Sequence, residues 1–573
     1  MARGIVYKLA EMVGVAESRA FPGTERRLEE SPEFERPARK EHGDFSTNFA
    51  LLHAKDHDLS PRQFADALVA ALPSDPYVLR VEVAGPGFIN FYLNQSLLLR
   101  DVLTRIDEEG DAYGSTDVGA GARVQVEFVS ANPVGPMHVG HGRWAALGDS
   151  LANVMEAAGY EVEREFYIND YGNQMNVFGA SVEARYAELL GAAFEFPEDG
   201  YGGAYIYDIA REIVEADGDS HLALGREERV KLFTERAYAQ VLEHMKATLA
   251  GMEVVFDVWF SERALHRSGA IDGAIEKLRG GGHVYEADGA VWFRSTAFGD
   301  DKDRVLIREN GQPTYLAADV AYHQDKLERG FDRIINIWGA DHHGYVKRME
   351  AAVEALSGEK GRLEVIIGQL VNVLRRGEPV RMSKRTGEMI TFEELLDEVG
   401  PDAARYWFLT RSTDSPVDFD LELAKEQSNK NPVFYVQYGH ARISSILRKA
   451  VAEGVVGDGC DEEAHAIDRD LLARITASED QLARIGEEAE IDLISHLSRL
   501  PDEVEEAAVR RAPYKLTAYA YETARRFHNF YERCRVISDD RDLTAARLFL
   551  VKCSRQVLAN VLGLLGVSAP DRM

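Results

Sequence analysis

Two histidines flank a glycine at His138-Val139-Gly140-His141, where a predicted strand gives way to a predicted helix. At this composition, chance matches to H-x-G-H number about 0.04. A helix start presents backbone N–H groups and a partial positive charge to phosphate. The imidazoles add hydrogen-bond donors, and Gly140 lets a flat adenine approach the backbone. The plainer alternative is a pair of histidines that cap or line a core helix. A second run, Arg381-Met382-Ser383-Lys384-Arg385 followed by Thr386-Gly387, falls in a loop between the last predicted strand and a helix. A mobile lysine there, Lys384, can meet charge that builds on an α-phosphate and a departing pyrophosphate only in the transition state. Its alternative is a solvated basic surface loop. A third run, Gly339-Ala340-Asp341-His342-His343, follows a short apolar strand, at the strand end where ligands collect in open α/β sheets. No further ligands at metal-binding spacing accompany it, so no metal site is expected.

These residues need a sheet to hold them. A strand over 123–130, helical apolar spacing over 140–158 and a strand over 161–167 give the β–α–β order of a parallel sheet flanked by helices. Strand signals resume over 289–295 and 304–309, where the turn Asn310-Gly311 gives a hairpin-like feature leading into a helix. Buried strands over 333–338 and 363–368 bring the sheet to at least four members, and the segment of about 190–285 is read as a helical insertion. Thr391 with Glu394 forms a predicted capping box, and Pro401 suits a helix start. Ahead of this lies a small α+β unit, with a helix over 61–72 and a strand over 87–93, closed by a Gly-rich stretch at 113–122. Behind it the chain reads as helical, with Leu516, Ala520, Ala524, Phe527 and Tyr531 on one stripe and Leu548, Val551 and Val557 on another. The expected architecture is therefore α/β: an N-terminal α+β domain (1–118), a Rossmann-like parallel-sheet domain (119–428) with its insertion, and an all-α bundle (429–573).

The composition sets limits. The 573 residues, 45% apolar and 28% charged, suffice for several cores. No apolar run is long enough to cross a bilayer, and no signal peptide precedes residue 20, so a cytoplasmic protein is expected. Cys460, Cys534 and Cys553 lie far apart and form neither a disulfide framework nor a C-x-x-C zinc pattern. A net charge of −30 argues against nucleic acid if taken alone. It also suits a surface evolved for molar salt, where the Debye length shrinks to about 3 Å, and that habitat is the reading adopted, with a basic stripe expected to survive on one face.

Taken together, the histidine motif and the basic loop resemble the paired signatures of class I aminoacyl-tRNA synthetases. Glu127-Phe128-Val129-Ser130-Ala131-Asn132-Pro133, Ile168-Asn169-Asp170-Tyr171-Gly172-Asn173-Gln174, Glu41-His42-Gly43-Asp44, Asn431-Pro432-Val433 and His440-Ala441-Arg442 are similar to the arginyl members, over essentially the whole chain. The resemblance implies catalytic roles for His138, His141 and Lys384. It implies ATP contacts from His138, Gly140, His141, Gly339, Asp341, His342, Met382, Ser383 and Lys384, with magnesium accompanying the nucleotide. Glu127, Ser130, Asn132, Tyr315 and Asp319 match arginine-binding positions. The chemistry agrees, because a planar five-donor guanidinium calls for carboxylates and a tyrosine. Two departures stand out: some members carry a glutamine near Asp341 and His342, and Arg381 replaces the loop's usual first lysine. The implied partners are arginine, ATP and tRNA(Arg), bound by a monomer whose bundle reads the anticodon loop. Tyr435, Tyr438, Phe527 and Tyr531 are stacking candidates there, and bound tRNA is implied as a requirement for activation. A salt-adapted archaeon is the expected source. Rival readings are a class I enzyme for another amino acid, a non-catalytic tRNA-binding chain, and a small-molecule nucleotidyltransferase.

Overall fold

A computed structural model describes residues 2–22, 32–35, 37, 39–380, 390–456, 467 and 469–573. Five parallel strands form the central sheet, in the order Leu363–Gly368, Arg333–Gly339, Arg123–Glu127, Glu161–Ile168, Val258–Ser261. From the Arg123 strand the chain first builds outward through the Glu161 and Val258 strands, then returns to the other side for the Arg333 strand. That reversal opens a crevice beyond Glu127 and Gly339, at the carboxyl ends of neighbouring strands. Residues 258–261, expected to belong to the insertion, are instead the sheet's edge; four half-buried residues gave too short a pattern to separate from helix. The strand expected over 289–295 is Ala290–Phe293, and it joins a separate antiparallel sheet with Val284–Ala287 and Arg304–Ile307.

The helix Val139–Ala157, expected from apolar spacing over 140–158, is buried on nearly every side. Two glycines let it sit there: a Cβ on Gly148 would stand 2.1 Å from the Phe128 ring, and one on Gly142 2.3 Å from the Phe392 ring. Within the segment expected as the insertion lie the long helices Ala204–Asp217 and Arg226–Gly251, which pack on the preceding helix Asn173–Leu189.

At the N-terminus, helices Ala2–Ala20 and Pro61–Ala71 cover an antiparallel sheet of Phe45–Thr47, Phe88–Leu93 and Val78–Ala84 around Leu9, Phe64 and Phe91. Ser60 and Gln63 close a capping box ahead of Pro61. The helix Gln95–Glu109, within the range assigned to this domain, buries Leu99, Leu103 and Ile106 in the core that also holds the C-terminal helices. Tyr113 Oη donates to the Leu497 carbonyl at 3.0 Å across the same junction. In the bundle, Leu516, Ala520, Ala524 and Phe527 are fully buried. Phe527 is therefore core, which removes it as a stacking candidate, whereas Tyr438 is exposed. Cys534 and Cys553 are buried thiols, and Cys460 lies outside the described residues.

Candidate active site

His138 is the N-cap of its helix. Its Nδ1 accepts the Gly140 N–H at 3.1 Å, and His141 Nδ1 accepts the His138 N–H at 3.1 Å. The imidazoles thus complete a capping box with no hydroxyl or carboxylate in it. They stack with centroids 3.7 Å apart. Because each Nδ1 accepts, the proton of each neutral ring sits on Nε2, as a donor. Capping, set against phosphate binding in the sequence, engages the Nδ1 atom of each ring.

The basic run, including Met382, Ser383 and Lys384, lies outside the described residues, but its two flanks are placed. Upstream, the Val380 N–H donates to the Val373 carbonyl at 2.9 Å. Downstream, Thr391 bridges to His138, and the Phe392 N–H donates to the Met137 carbonyl at 2.9 Å. Thr391 also caps the helix Phe392–Val399 with Glu394, as its spacing predicts. The chain leaving the basic run is therefore tied to the histidine motif.

At the end of the Arg123 strand the backbone turns sharply. Val129 has φ 67° and Ser130 φ 42°, a left-handed conformation rare for a β-branched residue. The strand expected to reach Ser130 stops at Glu127 for this reason. The turn folds Ser130 back, so that its hydroxyl donates to Glu127 Oε1 at 3.0 Å and accepts the Tyr167 N–H at 3.2 Å. Lys326 Nζ donates to Glu127 Oε2 at 2.6 Å. Asp319, on the helix Tyr315–Glu328, accepts the Tyr345 hydroxyl. Burial, opposed by that hydrogen bond and reinforced by the charge of Glu127, pushes the Asp319 carboxyl up to about 7.

Tyr315 occupies the first turn of the same helix, one turn ahead of Asp319, and is 72% exposed. Asn132 donates to Gln174 Oε1 at 3.1 Å, and Gln174 in turn donates to Asn169 Oδ1 at 2.7 Å, which ties two of the quoted motifs together. Gly339 ends its strand, but Asp341 and His342 are exposed on the short turn that follows, 3.5 Å apart. Among the described residues no three His, Cys, Asp or Glu side chains gather as metal ligands do.

Sequence reasoning missed several members. Glu262 is buried at the end of the edge strand, and burial, then the charge of Asp319, pushes its carboxyl up to about 7. His266 Nε2 lies 3.6 Å from it, with the exposed Tyr171 ring stacked on the imidazole. No spacing pointed to Glu262, because its strand went unrecognised. Lys326 had a signal: it falls seven residues after Asp319 and eleven after Tyr315, on one helical face.

Three family models match. "Arginyl tRNA synthetase N terminal domain" covers residues 8–93, "tRNA synthetases class I (R), catalytic domain" residues 109–418, and "DALR anticodon binding domain" residues 436–573. The chain is 50% identical to "Arginine--tRNA ligase" of Heliobacterium modesticaldum over 94% of its own length and 93% of the relative's. It is 47% identical to the "Arginine--tRNA ligase" of Desulforamulus reducens over 100% of both. The Thermus thermophilus arginyl-tRNA synthetase structure has the same fold, with a TM-score of 0.68 at 23% identity over 99% of this chain and 100% of that one. These relatives are bacterial, so they give no support to the archaeal, salt-adapted source expected from the acidic composition.

Proposed function

Because the chain belongs to the arginyl-tRNA synthetase family, we infer that it is a class I enzyme joining arginine to tRNA at the cost of ATP. In the proposed course, the arginine carboxylate attacks the α-phosphorus, arginyl-adenylate forms as pyrophosphate leaves, and the terminal 2′-hydroxyl of tRNA(Arg) takes the arginyl group. No covalent enzyme nucleophile is needed, so positioning and electrostatics carry the rate. His138 and His141 would offer Nε2–H to phosphate oxygens beside the helix N-terminus, and Lys384 would meet the charge that develops on the leaving group. Gly140, Gly339, Asp341, His342, Met382 and Ser383 would complete the nucleotide site. Magnesium accompanying the nucleotide would supply charge to offset that of the phosphates.

The observation that carries the arginine assignment is the convergence of Glu127, Asp319 and Glu262 at the carboxyl end of the sheet. Lys326 answers one oxygen of Glu127, so a neutral amino-acid side chain would leave the rest of this acidic cluster without a donor-rich cation, whereas a guanidinium brings five donors to it. Ser130, Asn132 and Tyr315 would complete that pocket. We further propose that residues 1–118 touch the outer corner of the tRNA, 119–428 carry the chemistry and 429–573 read the anticodon loop, in a cytoplasmic monomer. ATP–pyrophosphate exchange, run with each amino acid in turn and with or without tRNA, tests the reading. Exchange is expected with arginine alone and only when tRNA is present. Exchange with another amino acid would overturn the pocket, and arginine exchange without tRNA would remove the coupling.

A further inference from the structure

Lys326 is fully buried. Burying an ammonium costs several kcal/mol unless it is paired and hydrogen-bonded. Here it donates to Glu127 Oε2 at 2.6 Å and Asn336 Oδ1 at 3.0 Å, and lies 4.2 Å from the centroid of the Tyr322 ring. The contact with Lys326 fixes which way the Asn336 amide faces. Its Nδ2 then donates to His323 Nε2 at 2.9 Å, and His323 Nδ1 donates to the Asp319 carbonyl at 2.8 Å. His323 must be neutral for this arrangement, and burial, with the charge of Lys326 beside it, holds it down at about 3. The hydrogens therefore have one consistent placement along a line that begins at Glu127 and ends on the backbone of Asp319.

A carboxylate has about four lone-pair sites. On Glu127, Lys326 and Ser130 each use one, which leaves two for a pair of guanidinium N–H groups. Without Lys326, only the Ser130 hydroxyl would hold the Glu127 carboxylate, and its Oε2 would lose the ammonium that orients it. We propose that Lys326 is a positioning residue for arginine recognition: without touching the substrate, it fixes the Glu127 carboxylate in place, and the Asn336–His323 link sets Glu127 in register with Asp319. This rests on the reading of Glu127 as an arginine ligand.

The test compares Lys326→Met, Glu127→Gln, the double variant and Asn336→Ala with the parent enzyme. The assay is arginine-dependent exchange with tRNA between pH 6 and 9, with thermal unfolding as the check on folding. Lys326→Met is expected to raise KM for arginine about 10- to 100-fold, as breaking a charge pair does, with KM for ATP unchanged. The double variant should bind arginine no worse than Glu127→Gln alone, because Lys326 acts only through that carboxylate. KM for arginine within twofold of the parent in Lys326→Met, or losses that multiply in the double variant, would overturn the proposal. If Lys326→Met fails to fold, Asn336→Ala decides: a severalfold rise in arginine KM supports the network, and an unchanged value refutes it. An unchanged arginine KM in Glu127→Gln would instead sink the assignment of the arginine site.

Discussion

The site works with residues whose protonation is set by their neighbours. Two carboxyls, Asp319 and Glu262, rest near 7, raised first by burial and then by like charge: Glu127 acts on Asp319, and Asp319 on Glu262. Tyr345, Arg348 and Lys326 face Asp319 from the other side and favour its ionised form, and Tyr167 does the same for Glu262. A raised carboxyl holds a proton in the folded protein that it would release at the same pH when unfolded. Its stabilising contribution is therefore full below the unfolded value of about 4 and is lost as pH rises through about 7. On the proposed assignment, arginine reverses the preference, since a guanidinium would bind the ionised acids and would have to expel the proton. KM for arginine is thus expected to be flat above pH 7 and to rise below it by up to tenfold per pH unit for each of the two protons displaced. Glu262→Gln should reduce that slope and raise KM for arginine about tenfold at pH 8, with ATP kinetics unaltered. A pH profile identical to the parent's would show that Glu262 stands apart from the substrate.

At the scale of elements, the chemistry depends on how closely the helix Val139–Ala157 approaches its neighbours. Gly148 admits the Phe128 ring, and Phe128 leads directly into the strained Val129–Ser130 turn. Gly148→Ala forces the ring aside and is expected to cost about 1–3 kcal/mol in denaturant unfolding, with an increase in KM for arginine as the turn shifts. Loss of stability with unchanged arginine KM would separate packing from recognition. Much of this region was legible in the sequence. The strand–helix–strand order around residue 138 came from periodicity, and the Thr391 and Glu394 cap came from residue type and spacing. Three features were not legible, each for a physical reason. The Val258–Ser261 strand is short and half-buried, so it lacks an alternating pattern. The end of the Arg123 strand is decided by two positive φ angles that no propensity for Val or Ser foretells. Glu262 and Asn336 join the site only through strand order, a long-range fact.

Across the whole molecule, one buried cation ties the outlying parts to the chemical centre. Arg405 pairs with Asp149 of the Val139–Ala157 helix, and donates to the Leu565 carbonyl at 3.0 Å and the Met252 carbonyl at 2.8 Å. The last long helix, the insertion and the helix that begins at His138 thus meet at a single guanidinium, with Gly566 too close to it to carry a side chain. A change in the bundle on binding tRNA therefore has a packed route to the histidine motif, as tRNA-dependent activation would require. The net charge of −30 bears on how that tRNA arrives. Two acidic partners repel at long range and attract only where basic side chains meet phosphates, so added salt acts in opposite directions on the two terms. If long-range repulsion dominates, kcat/KM for tRNA should rise between about 0.1 and 1 M KCl, where the Debye length falls from about 10 to 3 Å, while KM for ATP changes little. A steady fall over that range would mean that phosphate contacts dominate.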